Sequence, residues 1–271
     1  DEHTLFVSDG NSTIQGEGSG FRITAKYDDF SCDLSFTNLI PPWKRRNGYH
    51  YVDESKSVFM YRVVPGPWER VEGTYTYEGK TRTARGNAYI DRTFQVFPPL
   101  KIDPLIVSMR LFSGTDTPPR DNRYYTGPPE RPEWHLNIIE HVSHNAYGGK
   151  RDPLLMIARN GEWAFISEDY TVSYEDFRKE MNIPYEYPGT VLIEAEDNGR
   201  KFSGRYTAEQ LFNFTDVLDE VPAVLRPIAL LIMRRPVFFR MIGRMTGCLT
   251  DPEGKTEYID LHGLFEYVVV Q

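Results

Sequence analysis

The chain has 271 residues, 40% of them apolar and 26% charged, with 21 Gly and 19 Pro, ordinary globular values that exclude a collagen, a coiled coil and wholesale disorder. A net charge of −8 argues against a nucleic-acid partner, which needs a concentrated positive surface. Two cysteines, Cys32 and Cys248, are too few for a disulfide scaffold, whereas the aromatic content of 14% suits pleated sheets and a pocket for an apolar ligand.

Taken in chain order, most of the sequence reads at a period of two. Phe21, Ile23, Ala25 and Tyr27 alternate with polar residues, and so do Phe30, Cys32, Leu34 and Phe36, the pattern of strands with one buried face. Cys32 reads as a buried thiol, with a bridge to Cys248 left open. Further strands are predicted at Val58 to Val64, Val71 to Tyr77, Thr81 to Phe94, Leu105 to Phe112, Trp134 to Val142, Leu154 to Ile166, Thr190 to Tyr206 and Thr256 to Val270. Asn160-Gly161 and Asn198-Gly199 mark type I′ hairpins. From Ser113 to Glu133 the prolines Pro118, Pro119, Pro128, Pro129 and Pro132 forbid regular structure. The domain boundary is placed there, giving an N-terminal β domain over 1–117, a Pro-rich connection over 118–133 and a C-terminal β domain over 134–271. A faint echo, Glu78-Gly79-Lys80-Thr81 and Glu253-Gly254-Lys255-Thr256, fits two related halves.

Helix is expected in two places. Ser173 caps a short one from Tyr174 to Met181, and a helical insertion spans about 216–246. That second region carries Arg226, Arg234, Arg235, Arg240 and Arg244 with no acid after Glu220. It reads either as a flap that contacts an anionic membrane surface or as a helix pair closing one end of a barrel with solvated arginines. The longest apolar run, Ile228 to Met233, is too short to cross a bilayer. The compartment stays undetermined: the sequons at Asn11 and Asn213 are weak signals, and a start at Asp1 without Met fits a trimmed leader or tag.

Several segments in order resemble the lipocalin-like double-calycin family of AttH proteins, carotenoid 1,2-hydratase, survival factor 1 and fungal Diels-Alderases. Asp33-Leu34-Ser35-Phe36-Thr37 with Pro41-Pro42 and Asn47-Gly48 is similar to its LxLxxxKPPxxxGxxG passage, and Val71 to Gly79 to its VxGTLTVDG strand and turn. Gly86-Asn87-Ala88-Tyr89-Ile90-Asp91-Arg92-Thr93-Phe94 resembles the signature GxGYxDHxWG, and Glu257 to Gly263 the closing AYLELTGY strand. The resemblance implies an all-β chain of two lipocalin-like antiparallel barrels holding an apolar ligand. It departs at Arg92, Phe94 and Gln95, where the signature has His, Trp and Gly.

The chemistry expected is cofactor-independent. Hydration of an isoprenoid double bond needs a proton donor facing an apolar cavity, a role for Asp91 if burial raises its pKa. Alternation places Asn87, Tyr89, Asp91 and Thr93 on one face, with Ala88, Ile90, Arg92 and Phe94 on the other. Arg92 cannot shuttle a proton but can bind a ligand carbonyl. Cyclisation of a polyene or polyketide asks only for a shaped pocket and a hydrogen-bond donor; Tyr89, Arg92 or Arg110 can supply the donor, and Trp68, Trp163, Phe59, Tyr61 and Phe94 the walls. The same equipment without turnover describes a carrier of lipids or fatty ligands. Metal is not expected: His135 and His141 share a strand face but lie roughly 20 Å apart, Glu140 points the other way, and His144 reaches His141 only across a turn. No nucleotide, redox or nucleophile-elbow motif is present.

Overall fold

Period-two alternation dictates strands, and the computed structural model of the chain, which describes residues 4–17, 19–51, 55–95, 104–113, 134–179, 185–232 and 235–270, consists largely of them. The first sheet contains β1 (Thr4–Ser8), β2 (Ser12–Glu17), β3 (Gly20–Lys26), β4 (Phe30–Asn38), β5 (Tyr49–Tyr51), β6 (Phe59–Tyr77) and β7 (Lys80–Gln95), in the order β1-β2-β3-β4-β6-β5 with β7 also on β6. The second contains β8 (Leu105–Phe112), β9 (Trp134–Val142), β10 (Arg151–Arg159), β11 (Glu162–Ser167), β12 (Thr171–Arg178), β13 (Tyr187–Asp197), β14 (Arg200–Asp216), β15 (Pro236–Thr250) and β16 (Thr256–Val270), in the order β11-β10-β9-β8-β16-β15-β14-β13-β12. This antiparallel sheet curls until β11 lies against β13. Both sheets have the lipocalin-like character that the sequence implies.

The chain divides into two compact units: the described residues of Asp1–Tyr49 and Tyr61–Phe94 make one, and those of His50–Met60, Gln95–Thr115 and Pro132–Gln271 the other. Strand β8, which precedes the expected boundary, pairs with β16 and β9 and so belongs to the second sheet. The Pro-rich connection at 118–133 lies outside the described residues.

Hairpin chemistry holds locally. Asn160 and Gly161 have φ of 49° and 86°, Asn198 and Gly199 of 51° and 76°, the left-handed pair that a type I′ turn requires. The helix expected from Tyr174 is instead β12, paired with β13; Val172 and Tyr174 pack on the core, and that alternating burial outweighs the Ser173 cap. The insertion at 216–246 is shorter than expected. Turns of 3₁₀ helix at Val217–Glu220 and Ala223–Leu225 lead into α1 (Arg226–Ile232), and Pro236 already opens β15. From there Val237, Phe239 and Met241 face inward while Arg240 and Arg244 take the alternate, outward positions, so these arginines are half of a strand pattern and no helical stripe.

Packing differs between the units. In the second, Met109, Leu136, Leu155, Val191, Tyr206, Phe239 and Phe265 form one cluster with exposures of 0% and fill the inside of the curled sheet. In the first, register pairs Phe21 with Phe36, Ile23 with Leu34, Phe36 with Val71 and Leu34 with Gly73, which sets these residues on one apolar face. They are only half-buried.

Candidate functional site

The apolar face of the first sheet carries a transverse row: Leu5 opposite Gly16, Gly16 opposite Phe21, Phe21 opposite Phe36 and Phe36 opposite Val71. At Gly16 a side chain would collide with the Phe21 ring, its Cβ falling 2.4 Å from Phe21 Cδ1. The Phe21 ring takes that space, and beside it lies an open hollow of about 460 Å³ lined by Leu5, Phe21 and Phe36 of this face together with Phe6, Gln15, Glu17 and Arg22, within the range of small-molecule pockets, roughly 300–1,000 Å³. One row further along, Asn38 stands opposite Glu69. Glu69 is 0% exposed, and neither carboxylate oxygen has a hydrogen-bond partner among the described residues. Burial pushes its pKa up to about 7, because a charge without solvent or partner is disfavoured.

Strand β7 places the signature residues on the opposite, polar face. Tyr89 donates its hydroxyl to Asp91 at 3.1 Å, and buried Trp68 donates Nε1 to Asn87 Oδ1 at 3.1 Å. Thr93 accepts from Arg62 at 3.2 Å. The pairs Arg22–Asp33 and Arg85–Glu72, at 2.6 and 3.5 Å, share this face. Arg92 and Phe94, next to them in sequence, are exposed. Of the expected walls, Tyr61 packs on Tyr49 with centroids 4.8 Å apart in the first unit. Phe59, against Tyr51 at 6.1 Å, falls in the second with Arg110 and Trp163. Arg110 stands opposite Asn137 and Leu264, and Trp163 opposite Ala158 beside a register shift.

Inside the second sheet the buried acid is paired, although Tyr174 Oη there and both amide atoms of Asn137 on the outer side of β9 have no hydrogen-bond partner among the described residues. Glu140 is 1% exposed; Arg151 donates Nε and Nη2 to it at 2.5 and 3.0 Å, and Tyr170 donates its hydroxyl at 2.7 Å. Burial and the neighbouring Glu140 charge push the Tyr170 and Tyr174 phenols well above their usual range. His135 sits on the other face of β9, its Nδ1 3.1 Å from the Leu111 carbonyl and its ring stacked on Phe112 at 4.7 Å. Among the described residues no group of three or more His, Cys, Asp or Glu side chains is arranged to hold a metal.

No family model and no curated protein matches the chain by sequence. Comparison with solved structures does find likeness. CghA crystallised with Sch210972 superposes with a TM-score of 0.60 at 11% identity, over 99% of this chain and 74% of that one. A second CghA crystal structure gives 0.61 at 11%, over 96% and 67%, and an AttH-like protein of Nitrosomonas europaea gives 0.57 at 12%, over 98% and 69%. The chain has the lipocalin-like fold of these proteins.

That fold leaves the arginine-rich segment electrically matched. Arg226 pairs with Asp219 at 3.3 Å and Arg240 with Glu266 at 2.7 Å, Arg235 with buried Asp216, and Arg244 with Asp260; Arg234 lies outside the described residues. The acids come from β14, β16 and the turn after β14, which sequence distance hides. Val224, Leu225 and Ile228 next to them are exposed. No helix among the described residues is long and apolar enough to cross a membrane. Glu69 is the group that the sequence did not mark. Its one signal was an acid in the apolar phase of the strand, two residues before Val71 and four before Gly73, and the Pro65-Gly66-Pro67 run beside it obscured that phase.

Proposed function

We propose that this chain binds an apolar, chain-like ligand on the interior face of its first sheet and promotes cyclisation of that ligand without a cofactor. The observation that carries the reading is the open hollow of about 460 Å³ bounded by Leu5, Phe6, Phe21 and Phe36, with Gln15, Glu17 and Arg22 at its polar side, whereas the interior of the second sheet is filled by its own side chains. A cyclase of this kind supplies shape, which holds a flexible chain near its reactive conformer, and a hydrogen-bond donor. The resemblance to a family that includes fungal Diels-Alderases, and the fold shared with CghA, support this chemistry over simple carriage. Hydration is the alternative reaction on the same ligand class, and it needs an acid on the apolar face. Asp91 stands with Tyr89 on the polar face, which favours a role for that pair in holding β7 or a ligand's polar end.

Native mass spectrometry of the purified protein tests the reading. The expected result is a co-purifying apolar molecule that extracts into organic solvent and is lost from a Phe36→Ser variant. Turnover of that molecule distinguishes enzyme from carrier: no reaction in the wild type leaves a carrier, and unchanged rates in both Asp91→Asn and Arg92→Ala remove these residues from the chemistry.

A further inference from the structure

We propose that Glu69 and Asn38 form a polar subsite at the end of the apolar face of the first sheet, one that takes the uncharged hydroxyl or amide end of an otherwise apolar ligand. It rests on the reading that this face holds such a ligand, and it adds the class of headgroup. The two side chains are cross-strand partners, about 5 Å apart at Cβ, and both turn toward Pro65–Gly66. Asn38 donates Nδ2 to the Pro65 carbonyl at 2.8 Å. The Glu69 carboxyl lies over Gly66, where an added Cβ would come 2.3 Å from Glu69 Cδ. Three buried oxygens, both of Glu69 and Oδ1 of Asn38, have no hydrogen-bond partner among the described residues.

Buried polar groups in folded proteins are nearly always paired, and one left open calls for a missing partner. A neutral carboxyl can donate at one oxygen and accept at the other, and Asn38 Oδ1 accepts. A hydroxyl or amide meets both demands, since it carries a donor and an acceptor. A carboxylate offers no donor to Asn38 and repels Glu69 once Glu69 ionises. The cluster is already out of bulk water, so an arriving headgroup strips no hydration shell from it. The half-buried row from Phe36 to Phe21 leads to it.

Among the described residues no hydrogen bond reaches the Glu69 carboxyl, and burial alone raises its pKa. Along this face its nearest strand residues are Asn38 opposite it, then Phe36 and Val71 one row on; Leu34, Gly73, Cys32 and Tyr75, and Phe21, Ile23 and Ala25 of β3, follow further along. Gly86 of β7 approaches Val71 on this side, which puts Arg82, Ala88, Ile90 and Arg92 there by alternation, and neither arginine contributes to the Glu69 pKa. The charged residues Arg22, Asp33, Arg70, Glu72 and Arg85 alternate onto the other face.

Isothermal titration calorimetry with 1-dodecanol and with dodecanoate, at about pH 6 and about pH 8.5, tests the subsite in the wild type, Glu69→Gln and Glu69→Leu. With a carboxyl at about 7, the neutral fraction falls from about 0.9 to about 0.03 across that range, so dodecanoate affinity is expected to drop about thirtyfold in the wild type. In Glu69→Gln that drop disappears. Dodecanol binds the wild type at both pH values and loses about tenfold in Glu69→Leu, the equivalent of one hydrogen bond. An equal dodecanoate drop in the wild type and Glu69→Gln, or full dodecanol affinity in Glu69→Leu, overturns the subsite while leaving the apolar-ligand reading intact. Failure of dodecanol to bind the wild type at either pH overturns that reading and the subsite with it.

Discussion

The two sheets of this chain share an alternation rule and use it to opposite ends. In the second, inward residues such as Phe239, Phe265 and Leu136 have no exposed surface, and the buried ion Glu140 is satisfied by Arg151 and Tyr170. In the first, the corresponding face is half-buried, with the Phe21 ring laid over Gly16, and its buried acid Glu69 has no hydrogen-bond partner among the described residues. A protein interior at crystal-like density has no room for a ligand, so the half-buried face of the first sheet is the one proposed to receive it. The same reasoning separates their acids, one supplying rigidity and the other an unmet demand.

Stability measurements can break this contrast. The largest effect is expected for Phe239→Ala, which removes a ring 5.3 Å from both Tyr187 and Phe214 and should cost about 3–5 kcal/mol in denaturant unfolding. Phe36→Ala on the half-buried face should cost under about 2 kcal/mol by the same assay, since less area leaves water. Equal losses would erase the distinction between the filled sheet and the half-buried one. Next comes the pH profile. Glu69 is held near 7 when folded against an ordinary 4.5, so above about 4.5 the unfolded chain releases a proton that the folded chain keeps. Stability should therefore fall as pH rises from about 4.5 through about 7, by about 3 kcal/mol at about 1.4 kcal/mol per unit. Glu69→Gln should flatten that window, and an unchanged slope would show that Glu69 is solvated.

Arg151→Ala should cost about 2–3 kcal/mol, less than a full stranding of Glu140 because Tyr170 still donates to it. The smallest effect is expected at the edge: Arg244–Asp260, with both side chains more than half-exposed, should be worth under about 1 kcal/mol in a double-mutant cycle and less in high salt.

What was legible in the sequence follows from how local its cause is. Strands and Asn-Gly hairpins come from neighbours two to four residues apart, and they stand; the lipocalin-like double-barrel character came from the family resemblance, and the shared fold bears it out. The strand β12 was misread because a Ser cap and following acids mimic a helix start, while the burial of Val172 and Tyr174 that decides the matter is set by β13 and the core. The arginine cluster looked cationic because its acids, Asp216, Asp260 and Glu266, arrive across long sequence separations. Asp91 was singled out from its motif, and Tyr89 does bond to it. Which face of β7 meets the apolar side of the sheet is fixed by pairing with β6, and that made Glu69 invisible in a linear reading.

Cys32 occupies the face on which Leu34 and Phe36 stand, and it is free. Burial, reinforced by the neighbouring Asp33 charge, pushes its thiol up, so it alkylates slowly. Cys248, free as well, lies against a separate groove on the second sheet between Thr246, Tyr258 and Asp260. A ligand long enough to run from Phe36 along β4 would cover Cys32, so the labelling rate of Cys32, read against Cys248 as an internal clock, is expected to fall when such a ligand fills the first sheet, with no engineered probe.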